Sequence, residues 1–349
     1  MAGNRTFPDL LLLILLLTVV SVTATGTVTA QEDQQTVTVS NADDLDDVRD
    51  DLDGDYVLAN DIDMSDVGNF DPIGSRDGAS FTGSFEGGGN VISDLTVVEP
   101  NGDGVGLFGA VGDGGTVNSV GLEDVDVEGD KNVGGIVGFN RGNVTRSYVT
   151  GTVSGESDNV GGVVGWNRGG LVSKSYSKAR VNGNVQVGGI VGVSNSAAGS
   201  DGDAVVEFSY AVGRVSATAR DGGLVGMLGD RDQLSGTESV LRDSYWDTGA
   251  TGQNDEYGNK RSGDGESTAE NVEGLSTDEM QGDAAEDNMT AFDFVSTWAT
   301  QEDDYPVLSW QTSVLSADNV PLPGFGFFAA VVSLFAVLVH RTTNRASDR

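Results

Sequence analysis

A block of glycine and branched aliphatic residues, VGGIVG at 133–138, returns as VGGVVG at 160–165 and VGGIVG at 187–192, 27 residues apart each time. A degenerate copy, GVGLFG, precedes these at 104–109, and a late copy, DGGLVG, follows a longer insertion at 221–226. A second marker keeps phase with the first: Ser147-Tyr148, Ser175-Tyr176, Ser209-Tyr210 and Ser244-Tyr245 each fall in the second half of a unit. Self-similarity at a fixed period means a stacked repeat architecture, which excludes most globular topologies at once.

Each unit holds short β-branched runs in which apolar and polar residues alternate, as in GNVTRSYVTGTVSG at 142–155. That alternation reads as strand, and the glycine and asparagine between runs read as turn. No unit carries an amphipathic helix. One unit cannot bury its own apolar face, so the units stack at strand spacing of ~4.8 Å. The expected fold is all-β: a right-handed parallel β-helix of about five repeat coils with N- and C-terminal capping segments. Glycine pairs belong where a corner turns tightly or where no side chain fits. Tyr148, Tyr176, Tyr210 and Tyr245 should form a column, on a face left open here because a one-residue slip moves it to the other side.

These motifs resemble the GLUG repeat family of bacterial and archaeal surface proteins, over roughly residues 50–312. YVLANDIDM at 56–64 and FTGSFEG at 81–87 look like the lead-in such proteins carry, and SYWD at 244–247 and DYPVLSW at 304–310 like their closing segment. The resemblance implies an architecture and no activity. Asn41 is placed to cap a short helix with Leu45, Val48 and Leu52 on one face. Ser276 to Glu279 is a capping-box pattern before another helix, and Trp298, Tyr305 and Trp310 supply bulk to close the stack. Residues 249–272 read as a polar, glycine-rich loop.

Both ends read as addresses. Residues 1–30 form a secretory signal, with Arg5 ahead of an apolar core at Leu10–Val20 and a cut between Ala30 and Gln31. At the other end Pro323-Gly324-Phe325 opens an apolar stretch to Val339, followed by His340, Arg341, Arg345 and Arg349. The trailing cations place that end in the cytoplasm. This tail resembles the PGF-CTERM sorting signal of haloarchaeal surface proteins. The resemblance implies removal of the helix by an archaeosortase and its replacement by a lipid; an ordinary single-span anchor is the alternative. The resulting segments are 1–30 signal peptide, 31–103 N-terminal cap and first strands, 104–248 repeats, 249–312 loop and C-terminal cap, 313–322 linker and 323–349 sorting tail.

Composition narrows the chemistry. The formal net charge is -35, and the lysines are limited to Lys131, Lys174, Lys178 and Lys260. Such a surface suits concentrated salt, where a Debye length of ~3 Å at 1 M screens self-repulsion. Nucleic acid is not an expected partner, since no basic field could neutralise phosphates. There is no cysteine, and the single histidine is His340. Thiolate nucleophiles, zinc-thiolate sites and a histidine-based triad in the ectodomain are excluded, and no cofactor is expected.

Three clusters of charged residues have the composition for chemistry. Asp124, Asp126 and Glu128 alternate along one strand, as a glycosidase pair would need, but read as a solvated acidic face. Asp51, Asp53 and Asp55 lack the glutamate an EF-hand requires at its twelfth place, so no metal site is assigned. The third cluster is basic: Arg141, Arg146, Arg168, Lys174 and Lys178, with Trp166 nearby, form a stripe in an otherwise acidic chain. Arg141 and Arg168 lie one coil apart, and stacked like charges call for something anionic, a small anion or a sulfated or uronic glycan. Asn143 and Asn288 head N-glycosylation sequons. The leading expectation is a membrane-tethered structural or adhesive surface protein, not an enzyme, facing cell-envelope glycans or proteins. A polysaccharide-degrading lyase or hydrolase on the same scaffold and a glycan-binding module are the alternatives.

Overall fold

The computed structural model describes residues 36–196, 202–229, 238–260 and 267–313. The signal and tail positions Ala30, Gln31, Pro323, Gly324 and Phe325 lie outside them. The chain winds into a parallel β-solenoid of about 7 turns. Its longest ladder runs through Val37–Val39, Asp55–Leu58, Ser84–Glu86, Thr116–Asn118, Asn143–Thr145, Leu171–Ser173, Ala204–Glu207, Ser239–Asp247 and Ser267–Leu275, every pair parallel. A second, six-stranded sheet stacks Phe108–Val111, Val137–Asn140, Val164–Arg168, Val191–Asn195, Val225–Leu228 and Tyr257–Lys260.

Stacking buries one column of aliphatics on another. Val133, Val160 and Val187 pair in register, as do Val137, Val164, Val191 and Val225, and all are fully buried. Each apolar face is thus covered by the coils above and below it, as a repeat too small to fold alone requires. The glycine pairs serve close approach, not turning. A Cβ on Gly135 would sit 2.7 Å from the Gly162 carbonyl oxygen and 2.6 Å from the Val149 side chain. Gly161, Gly188 and Gly222 are pressed against the next coil's backbone in the same way.

Corners are turned instead by non-glycine residues in the left-handed region. Arg146, Lys174, Phe208, Asp243 and Asn271, with φ between 47° and 53°, form one corner column. Asn132, Asn159, Gln186 and Arg220 form another, and the Asn159 amide donates to Asn132 Oδ1 at 2.7 Å. A left-handed L-residue costs about 1–2 kcal/mol, so each corner needs compensation. The serine after the first column supplies it. Ser147, Ser175, Ser209 and Ser244 are fully buried. Each accepts the amide N–H of the equivalent position one coil earlier, at 3.1–3.2 Å, and donates to the carbonyl two residues back, at 2.7–3.0 Å. The Ser-Tyr marker therefore begins with a hydroxyl that staples one coil to the next.

The stack reaches further than the glycine-marked units. The lead-in is itself coil: Tyr56 pairs with Phe85, and Phe85 with Val117. Residues 249–272, expected as loop, include Tyr257–Lys260 and the start of Ser267–Leu275, each extending a ladder. They lack the glycine pair of the repeat block, which is why the marker did not reveal them. Asp124 departs from the strand face expected for it, because at φ 53° it turns a corner. The N-terminal helix Ala42–Asp47 is capped as its sequence demands: Asn41 Oδ1 accepts from the amides of Asp43 and Asp44, with Leu45 and Val48 buried. Replacing Gly135 by alanine should lower the unfolding free energy by about 3 kcal/mol, the upper range for forcing atoms into a packed interior. Urea titration in molar salt measures this, and an unchanged midpoint would contradict the close-approach role.

Candidate functional site

After Leu275 the chain leaves the coil and returns along the outside of the stack. The segment comprises the short helices Thr277–Met280 and Ala284–Asn288, an antiparallel hairpin of Trp298–Gln301 with Asp304–Leu308, and the helix Ser309–Ser313. The capping box at Ser276 and Glu279 starts it. It was expected to close the end of the stack. It instead lies over the flank, because that is where the tyrosine column presents apolar area. Tyr148, Tyr176 and Tyr210 are 4.9 and 5.0 Å apart and within 5° of parallel. Phe292 packs edge-on to Tyr245 at 5.1 Å, Trp298 against Tyr210 at 5.5 Å, and Trp310 against Tyr148 at 5.6 Å. The segment therefore runs against the direction of coil growth, as a clasp spanning four coils of the column. Aromatic contacts of this kind contribute about 0.5–1.5 kcal/mol each beyond area burial.

Polar contacts fix the clasp in register. Tyr245 Oη accepts from the Ala291 amide at 3.0 Å, Tyr210 donates to the Pro306 carbonyl and Tyr176 to Gln311 Oε1 at 3.0 Å, while Tyr148 donates within the coils to Glu123 Oε1 at 2.5 Å. At the base, fully buried Asp247 accepts from the Ala250 amide at 2.7 Å and from Thr277 Oγ1 and Tyr305 Oη at 2.6 Å each. Burial pushes the phenols of Tyr148, Tyr176 and Tyr210 far above their ordinary value, and the Glu123 contact adds to this at Tyr148. Burial and then the Asp247 contact raise Tyr305.

The basic stripe divides between two flanks. Lys178 pairs with Asp304 of the clasp at 3.1 Å and lies 5.5 Å over the Tyr305 ring. Asp293 is held below the usual carboxylate range first by the Ser296 hydroxyl, with Lys174 among the later causes. Arg146 turns its corner beside Lys174, and its carbonyl accepts the Trp310 indole N–H at 3.2 Å. Part of what offsets the stacked cations is thus the chain's own acidic clasp. On the other side of the strand Asn143–Thr145, Arg141 pairs with Asp113 at 2.9 Å. Arg168 lies 5.6 Å over the Trp166 ring, and Arg76, which no motif had marked, lies 5.2 Å over the same ring. Trp166 borders a cleft of about 200 Å³ with Asp158, Gln186, Asn195 and Met227.

A second cleft, of about 260 Å³, forms where the clasp meets the early coils, lined by Asp61, Gly89, Asn90, Glu123, Tyr148, Trp310 and Gln311. No motif marks it, because its walls come from positions up to 250 residues apart (61 to 311). Of the sequon residues, Asn143 is exposed, whereas the Asn288 amide donates to the carbonyls of Ala284 at 2.9 Å and Glu279 at 3.3 Å. Among the described residues no group of three or more His, Asp or Glu side chains is arranged to hold a metal ion.

The tyrosines set a pH dependence. A phenol whose folded pKa is raised contributes its full share of stability below the unfolded value of ~10 and loses it as pH climbs above that. The thermal midpoint in molar salt should therefore be insensitive to tyrosine ionisation below pH ~10 and fall above it. Absorbance near 295 nm should show the buried phenols ionising only together with unfolding. Smooth ionisation of all tyrosines in the folded state would contradict their burial under the clasp.

Comparison with known proteins agrees with this architecture. The GLUG motif matches residues 129–154, which hold the corner at Arg146, the serine staple at Ser147 and the first tyrosine of the stacked column. Halomucin of Haloquadratum walsbyi is 34% identical over 109 residues, covering 29% of this chain; the matched stretch is 1% of that far longer protein. A crystal structure from Bacteroides ovatus, named a "putative immunoglobulin A1 protease", superposes with a TM-score of 0.59 at 18% identity, over 80% of this chain and 93% of that one. At that identity the likeness concerns the fold alone. The chain is a parallel β-solenoid that carries the GLUG motif and has a distant homologue in halomucin.

Proposed function

We propose that this protein is exported and held at the outer face of a cell, where the solenoid acts as a structural and adhesive element and not as an enzyme. The observation that carries the reading is the parallel ladder of described strands from Val37–Val39 to Ser267–Leu275, locked along one flank by the clasp. Such an element holds its outer faces at fixed separations, as a spacer or display surface needs. Its skin is hydrated: among the described residues the large apolar side chains left exposed are Val37, Val67 and Val295. With a net charge of -35, that skin is matched to a saline exterior, in keeping with the halomucin relationship.

In this reading signal peptidase cuts after Ala30, and an archaeosortase exchanges the tail beginning at Pro323-Gly324-Phe325 for a lipid. The last described helix, Ser309–Ser313, packs beside the coil of Tyr148, so tension on a C-terminal tether would load the clasp before the coils. Partners are envelope glycans or neighbouring proteins. The strand carrying Asp126 and Glu128 sets them beside Thr152 and Ser154 of the next coil, so this acidic face is flanked by hydroxyl side chains. A second reading, an anionic-glycan module, is favoured by two guanidinium groups, those of Arg76 and Arg168, lying 5.2 and 5.6 Å from the Trp166 ring.

Mass spectrometry of the mature protein from its host membrane tests the main reading. The expected product starts at Gln31, lacks the tail helix, carries lipid, and bears glycan at Asn143 but not at Asn288, whose amide is committed to two carbonyls. Cells lacking the protein should grow normally and aggregate or attach less. An unprocessed intracellular chain, or depolymerisation of a polysaccharide by the purified protein in molar salt, would defeat it.

A further inference from the structure

We infer that the cleft between the clasp and the early coils is a binding site for a neutral, hydroxyl-rich sugar ring. This goes beyond surface display, since it concerns the purified molecule and names a ligand class. The floor is aromatic. Trp310 is half-buried, its ring tilted 33° from that of Tyr148 with centroids 5.6 Å apart. It is fixed in place before any ligand arrives: its indole N–H donates to the Arg146 carbonyl at 3.2 Å, and a Cβ on Gly89 would lie 3.4 Å from the ring. Gly89 takes φ 85°, a conformation that brings the backbone close under the indole.

The walls are rich in acceptors. Asp61 Oδ1 takes the Val91 amide at 2.8 Å, and Glu123 Oε1 takes the Tyr148 hydroxyl at 2.5 Å. Each carboxylate keeps a second oxygen for a ligand. Asn90 gives its Nδ2 to the carbonyls of Leu58 and Gly87, at 3.0 and 3.1 Å, which leaves Oδ1 as an acceptor. Gln311 uses Oε1 to accept from Tyr176 and from the Leu308 amide, so its Nε2 is a donor beside them. Several acceptors, one donor and a flat indole face match a sugar ring, whose hydroxyls donate while its C–H face stacks. The volume of about 260 Å³ is below that of a site for a drug-sized ligand and suits one ring of a chain.

Two competing ligands are disfavoured by the same geometry. A uronic or sulfated sugar would set its charge against Asp61 and Glu123 in a chain of net charge -35. An organic cation is held best by rings surrounding it; here two rings, Trp310 and Tyr148, line the cleft, packed against each other at 33°. The site is composite: Trp310 and Gln311 come from the clasp, the rest from the coils, so a bound sugar would hold the clasp down.

Isothermal titration of the full-length protein in molar KCl with neutral trisaccharides of glucose, mannose, galactose and N-acetylglucosamine provides the test. At least one should bind, and Trp310→Ala should weaken it more than about tenfold. Glu123→Gln keeps an acceptor for Tyr148 and so spares the clasp; it should still weaken binding several-fold, with limited proteolysis unchanged. Trp166→Ala should leave the affinity as it was. No binding by any neutral trisaccharide overturns the proposal, as does binding lost in Trp166→Ala but kept in Trp310→Ala. Tetramethylammonium binding as tightly as the best sugar, or a uronic trisaccharide binding more tightly, also overturns it.

Discussion

Vertical register between successive coils is the constraint on which everything else in this molecule depends. A coil has no interior of its own; its valines are buried only because the next coil places valines over them. Backbone N–H and C=O groups are likewise satisfied only by the neighbours above and below, and a buried group left unpaired is expensive. Register in turn requires the coils to approach at strand spacing where the glycine pairs lie, since the next coil's carbonyl oxygen occupies the place a Cβ would take. The left-handed corners and the serine hydroxyls that bridge them follow from the same demand. The register absorbs differences in coil length: Tyr176 and Tyr210 stay paired although 34 residues separate them, against 28 between Tyr148 and Tyr176.

The same register has a consequence outside the core. Once four tyrosines stand in a column, they offer a strip of aromatic surface too large to leave in water. The chain covers it with its own C-terminal segment, so the strip becomes a second apolar cluster and the clasp becomes part of the fold. Charge follows the same path. Lys178 of the middle coils meets Asp304 of the clasp, although an exposed pair of this kind is worth only about 0–1 kcal/mol. Its value is in orientation, while the aromatic contacts and the Asp247 knot supply most of the attachment.

Function grows out of these two layers. The rigid ladder sets distances along the molecule, and the clasp creates relief on an otherwise regular surface. The cleft at Trp310 exists because a segment from the end of the chain crosses the early coils, joining an indole to carboxylates that the repeat alone would leave in open solvent. The cleft at Trp166, by contrast, is built by the repeat itself, where the ladder neighbours Val193 and Met227 line it.

Particular residues show how far the sequence reaches. The glycine blocks, the tyrosine spacing and the caps at Asn41 and Ser276 are local or periodic features, and local chemistry determines them: an asparagine before an amphipathic turn caps it, and a residue recurring once per coil stacks. The coils built from Tyr56, Phe85 and Val272 were harder to see because they lack the glycine marker. The sequence by itself thus determined that the chain stacks, with which period, and which residues stand above one another. Only the tertiary structure decided that the tyrosines face outward, that Trp298, Tyr305 and Trp310 cover the flank and not the end, and that Asp61 and Glu123 meet Trp310. Those outcomes depend on contacts between segments remote in the chain, where the gain from burying aromatic surface competes among several exposed strips, and no periodicity encodes which strip wins.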